Sequence, residues 1–155
     1  MDDEKFMRAA VEKALDGIQK GQTPFGACIA KGGKVVACAH NTVWKDLDIT
    51  AHAEVNTIRE ANRRLKTVDL SSCVIYSTTE PCPMCFSAIH WARIGRIVYG
   101  ASIADAKKAG FSEMELSNKR LDGIAKTGIE IKSGVLREEC KALFDEWKKR
   151  GGKAY

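Results

Sequence analysis

Met7, Ala10, Val11, Ala14, Leu15 and Ile18 recur at intervals of three and four, so the chain opens with an amphipathic helix. Gly21, Pro24 and Gly26 in "KGQTPFG" end that pattern. "ACIA" and "VVACA" flank "KGGK", a two-strand hairpin signal built on Gly32 and Gly33. After the polar stretch "HNTVWKDLDIT", read as a loop, Val55, Ile58, Ala61 and Leu65 mark a second helix. "CVIYS" predicts a strand, "TTEPCPMCFSAIHWARI" a turn and then a third helix, and "RIVYGA" another strand. The span 103–121 is less periodic and is expected to hold a loop and one helix. "IEIKS" predicts the fifth strand, and "REECKALFDEWKKR" a last helix with Cys140, Leu143, Phe144 and Trp147 on one face.

Strands separated by helices pair in parallel through right-handed crossovers, with helices on both sheet faces. The pattern therefore predicts an α/β fold, a three-layer α/β/α sandwich with a mixed five-stranded sheet. No repeat or linker interrupts the 155 residues, and a single domain over 1–155 is expected.

Composition changes this picture little. The opening "MDDEKFMRAA" is acidic and lacks the layout of a secretory leader, and no apolar run reaches membrane-spanning length. A cytoplasmic protein with reduced thiols is the expectation, so the six cysteines point to metal, chemistry or burial, not to disulfides. The net charge of +5 is mild. Part of it lies in Lys148, Lys149, Arg150 and Lys153, where a solvated helix face is the commoner meaning and contact with nucleic acid the rarer one.

Two fragments carry chemistry, "TAHAEV" and "TEPCPMC". Cys82 and Cys85 sit three apart at a helix start, on one face, where the helix dipole favours thiolates, and Pro81 suits the first helical turn. His52 with those two thiolates makes a zinc shell with the fourth position left for water, whose pKa the metal lowers toward neutrality. Glu54, two residues past the ligand, is placed to take a proton from that water and deliver it to a ring nitrogen and a leaving amine. Histidine-x-glutamate followed by proline-cysteine-x-x-cysteine is the signature of zinc-dependent nucleobase deaminases. A closed structural site with Cys73 or another thiol as fourth ligand is the competing reading, and Glu54 and Pro81 weigh against it. Cys28, Cys38, Cys73 and Cys140 read as small buried residues, His40 and His90 as packing or surface residues, and Trp44 and Trp147 as core.

With these motifs the chain resembles the cytidine deaminase superfamily, and within it the bacterial guanine deaminases. "PFGA", "TAHAEV", "EPCPMC", "AIHWAR", "DAKKAGF" and the final "KAY" fall in the order of that family and span most of the chain from Thr23 onward, least clearly over 112–141. The resemblance implies one zinc per subunit on His52, Cys82 and Cys85, with Glu54 as proton shuttle. It further implies that Asn41 hydrogen-bonds the purine, that Phe25 lies against the base, that Trp91 lines the pocket wall and that Asp105 reads the base. Tyr155 would close the pocket, in a homodimer whose C-terminal segments are exchanged between subunits. Ile49, where proline is common in the superfamily, and His90, beside Trp91, depart from the pattern and bear on pocket shape.

Chemistry agrees with a purine bearing two adjacent donors. Guanine offers N1–H and the 2-amino group to a carboxylate, adenine has no N1–H to give, and an asparagine amide carries both a donor and an acceptor. Without the resemblance, Asn41 reads as a turn former and Asp105 as a helix cap. Three readings stand beside guanine deamination: a tRNA adenosine deaminase with the same motifs, a deaminase of guanosine, cytosine or another aminated heterocycle, and a non-catalytic zinc fold. A tyrosine folded over the pocket would obstruct a polymer, so nucleic acid is not the expected substrate; nor is a membrane an expected partner.

Overall fold

A computed structural model describes residues 2–155. Helix α1 (Asp3–Gln19) starts where the Asp2 side chain accepts from Lys5 N at 3.2 Å, and buries Phe6, Met7, Ala10, Ala14 and Ile18. Strands β1 (Gly26–Lys31) and β2 (Lys34–His40) follow, then the short helix α2 (Val43–Asp46) and helix α3 (Ala53–Leu65). Next come β3 (Cys73–Thr79), α4 (Pro83–Trp91), β4 (Arg96–Ala101), α5 (Ile103–Lys108), α6 (Asn118–Ala125), β5 (Glu130–Lys132) and α7 (Arg137–Lys149).

The sheet order is β2-β1-β3-β4-β5, with β1 antiparallel to both β2 and β3, and β3, β4 and β5 parallel. The hairpin turn is Gly32-Gly33, at φ +56° and +76°, the two positive angles a two-residue type I′ connection requires. One face of the sheet carries α1, α5 and α7 over Cys28, Ala30, Tyr76 and Val98. The other carries α3 and α4 over Ile29, Ile75, Ile97 and Tyr99. This is the expected three-layer sandwich with a mixed sheet.

Two local expectations change. The polar stretch after β2 holds α2, whose last turn closes on Leu47 in the left-handed region. The 103–121 span begins two short helices, not one. Each has a serine cap, Ser102 for α5 and Ser117 for α6, so capping rather than apolar periodicity defines them. Glu80, just past β3, ties both starts together: its carboxylate accepts from Ile103 N at 3.1 Å and Asn118 N at 2.9 Å. That buried carboxylate satisfies orphan amides at two helix N-termini and fixes the 109–117 loop between them.

Candidate active site

His52 caps α3 and Cys82 caps α4, so the positive ends of both helix dipoles converge on one spot. The His52 Nδ1 lies 3.6 Å from Cys82 Sγ and 3.5 Å from Cys85 Sγ. Zinc bonds of ~2.0–2.3 Å in a tetrahedron set ligand atoms roughly 3.5–3.8 Å apart, so both His52 separations match one zinc ion held by the three side chains. A hydrogen bond from Cys85, reinforced by one from His52, holds the Cys82 thiol down at about 4, in its ligating form. Cys73 cannot complete a closed shell. It opens β3, and the site lies beyond the end of that strand, on the order of 20 Å away at ~3.3 Å per residue. Three protein ligands leave one position open, the arrangement of a catalytic zinc site.

Beside the triad lies a small chamber lined by Phe25, Asn41, Glu54, Thr79, Glu113 and Tyr155. Glu54, the second residue of α3, is buried; its Oε1 accepts from Ser77 Oγ at 3.1 Å and its Oε2 from Cys85 Sγ at 3.5 Å. Burial first, and then the Cys82 thiolate, push its carboxyl up. Glu113, in the loop fixed by Glu80, is half-buried and pushed up to about 7 by burial and by the negative charge of Cys82 and Glu54. No lysine or arginine is among the residues lining the chamber, which suits a bound cation. Asn41 is fully buried and held in one orientation, its Oδ1 accepting from Val43 N at 2.9 Å. Only its amide donors are left for the chamber.

Residues 1–101 match the profile of the cytidine and deoxycytidylate deaminase zinc-binding region. The chain belongs to this family. A guanine deaminase from Bacillus subtilis is 44% identical to this deaminase over 114 residues, 73% of each chain. A tRNA-specific adenosine deaminase from the same organism is 36% identical over 152 residues, 96% of this chain and 92% of the relative. The solved guanine deaminase of Nitrosomonas europaea superposes with a TM-score of 0.87 at 29% identity, over 94% of this chain and 84% of the other.

The deaminase closes its chamber with its own tail. Gly152 lets the chain pass the Trp147 indole, where a Cβ would come within 2.1 Å of Nε1. Trp44 Nε1 then donates to Lys153 O at 2.9 Å, and Asn41 Nδ2 donates to Tyr155 Oη at 2.8 Å. The Tyr155 ring packs 5.7 Å from both His52 and Phe111, centroid to centroid. The chamber left beneath it measures about 20 Å³, close to the space of a single water. The segment expected to be exchanged between subunits lies here over the pocket of its own chain.

Two expected pocket residues lie elsewhere in this deaminase. Asp105 caps α5, its Oδ2 accepting from Ser102 N at 2.9 Å, and its carboxylate pairs with Arg137 Nη2 at 2.9 Å and 3.1 Å. Both oxygens are committed, and the residue does not line the chamber. Trp91 ends α4, six residues beyond Cys85 and about 9 Å along the axis at ~1.5 Å per residue. It is 82% exposed and lines an open surface pocket with Val68, His90 and Arg93, apart from the zinc chamber. Pro83, not Pro81, takes the first helical turn of α4. Thr79, Glu80 and Glu113 are chamber residues that sequence reasoning missed; "FSEMELS" carries no periodicity, cap or motif that separates Glu113 from the solvated Glu115 nearby.

Proposed function

We propose that this deaminase converts guanine and water to xanthine and ammonia. The observation that carries the reading is Glu113: a half-buried carboxylate with no hydrogen-bond or ion-pair partner among the described residues, facing the same small chamber as Glu54 and the zinc ligands. A base with two adjacent donors, N1–H and the 2-amino group, supplies what that carboxylate lacks. An adenine ring leaves it unpaired, a cost that discriminates strongly in a buried site. Glu113 thereby takes the part first expected of Asp105.

His52, Cys82 and Cys85 would hold a zinc ion, which when bound would supply the Lewis acidity that lowers the pKa of a water toward neutrality. Glu54 accepts the proton of the attacking water and passes it to the ring nitrogen beside C2. It then carries the second proton to the 2-amino group, which leaves as ammonia when the C–N bond breaks. Ser77 holds Glu54 in place through its hydroxyl. Asn41 donates to an acceptor on the far side of the purine, and Phe25 packs against the ring face. Tyr155 excludes bulk water, so the chamber has to open to admit the base and close over it.

A second reading, a tRNA adenosine deaminase, draws support from the relative that matches over 96% of this chain. The tail across the chamber speaks for a small free base. The deciding experiment is ammonia release from guanine, guanosine, adenine, cytosine and a tRNA anticodon stem-loop. Guanine is expected to be the fastest substrate, with xanthine as product. Rapid deamination of the stem-loop with inert guanine would reverse the assignment.

A further inference from the structure

Away from the zinc site, Cys28 and Cys38 stand directly opposite each other in the β1–β2 ladder. Both are free, and neither belongs to the zinc cluster. Directly opposed residues of an antiparallel pair share a sheet face with Cα atoms about 4.5–5.5 Å apart, inside the ~4.4–6.8 Å window of a disulfide.

Their surroundings divide the labour. Cys28 is fully buried. Cys38 is half-buried on the edge strand and lines an open groove of about 510 Å³. Five cations and two carboxylates line that groove, with Lys13, Lys45 and Arg59 among the cations. The neighbouring Cys28 thiol first, and then the charges of Lys13 and Arg64, pull the Cys38 thiol down, against burial and Glu12. The Cys28 thiol is pushed up by the neighbouring Cys38 and by burial. An accessible attacking thiolate with a buried resolving thiol behind it is the layout of a reactive dithiol.

We propose that Cys28 and Cys38 form a thiol-exchange site that reacts with anionic low-molecular-weight disulfides such as oxidised glutathione and closes to a cross-strand disulfide. The Cys38 thiolate attacks one sulfur of the glutathione disulfide, forming a mixed disulfide and releasing one glutathione thiolate. Cys28 then gives up its proton and attacks Cys38 Sγ, releasing the second glutathione. The protein loses two hydrogens and two electrons, and both electrons reduce the glutathione disulfide. The site is independent of the base that the zinc centre deaminates.

The test is peptide mapping without reductant, on zinc-loaded protein treated with oxidised glutathione. Trypsin cuts after Lys31 and Lys34, so closure joins peptides 21–31 and 35–45. The expected result is that joined pair, two hydrogen masses lighter than the separate peptides, with Cys82 and Cys85 unmodified. Cys38→Ser should reduce the joined pair to background and leave Cys28 unmodified, and Cys28→Ala should stop at glutathionylated Cys38. The proposal is overturned if the wild-type protein stops at the Cys38 mixed disulfide, if it does not react, or if Cys82 and Cys85 oxidise first. The wild-type arm decides it without reliance on any variant's folding.

Discussion

Beside the first residue of β4, Asp3 is buried among partners; beyond the last residue of β3, Glu54 and Glu113 are buried almost without them. Arg96 grips both oxygens of Asp3 at 2.9 Å and 3.0 Å, Lys132 donates at 2.7 Å and the Tyr76 hydroxyl at 3.0 Å. Arg96 first, with Lys132 and Tyr76, holds the Asp3 carboxyl well below the usual carboxylate range. Glu54 and Glu113 face the Cys82 thiolate and each other, and burial pushes both up. The first arrangement fastens α1 to β3, β4 and β5. The second keeps carboxyl groups near the point of exchanging a proton, at a cost in stability that the rest of the fold has to offset. Burial of a carboxyl group therefore says little about its use; what faces it says most.

Removing the general acid–base group should give the largest effect. Glu54→Gln keeps the size of the side chain and removes its proton traffic, so ammonia release from guanine should fall by about 10³-fold or more, roughly 4 kcal/mol. Zinc content by metal analysis should not change, because Glu54 is not needed as a ligand. Loss of zinc in the variant would move Glu54 from the proton path to the metal shell and end the contrast with Asp3.

Asp3→Asn tests the other side. It leaves Arg96 and Lys132 without their shared partner and should cost about 2–3 kcal/mol of stability, below the largest values because both cations reach solvent. Thermal unfolding should show the loss, while guanine turnover at moderate temperature stays within about twofold. The pH profile sharpens this. A carboxyl held below its ordinary value of 3.8 contributes fully above that value, and its contribution drains as pH falls through and below it. The melting temperature of the wild type should drop steeply there, and that of Asp3→Asn should flatten.

Glu113→Gln should have the opposite signature. Replacing the carboxylate that reads the base is expected to lower kcat/KM for guanine about 10–100-fold, the worth of a hydrogen bond to a charged group. Stability should not fall. A carboxyl raised from 4.5 to about 7 makes the fold less stable as pH climbs through that window, and glutamine removes the penalty. Above pH 7 the variant should melt no lower than the wild type. A drop comparable to that of Asp3→Asn would mean that Glu113 is held by partners after all.

The same contrast explains what could be read from the residues in order. The zinc ligands and Glu54 are local within each pair, at most three residues apart at a helix start, and the packing of α3 beside α4 brings the two pairs together. The layers follow from periodicity, and the cap role of Asp105 follows from the serine three residues before it. Glu113 is not local. It reaches the chamber only because Glu80, more than thirty residues earlier, clamps the starts of α5 and α6 and so fixes the loop between them. Its place depends on tertiary contacts that no spacing rule encodes. Trp91 shows the converse, a large aromatic residue in a family-like context that the helix axis carries past the site.

The smallest expected effect lies where the tail meets the chamber. Tyr155→Phe keeps the ring against His52, Phe111 and Trp44 and removes only the hydroxyl that receives the Asn41 amide. A neutral hydrogen bond of this kind is worth about 1 kcal/mol, so KM for guanine should rise about fivefold with kcat little changed. Deleting 151–155 also takes away the aromatic cover and should cost more, because water then reaches Glu54 and Glu113 and weakens every interaction that depends on their burial. The two variants together separate the hydroxyl from the seal. If they behave alike, the hydroxyl–amide bond alone holds the tail closed. If deletion is the milder of the two, the chamber does not need its cover, and the raised carboxyls of the pocket owe their state to the protein walls and not to Tyr155.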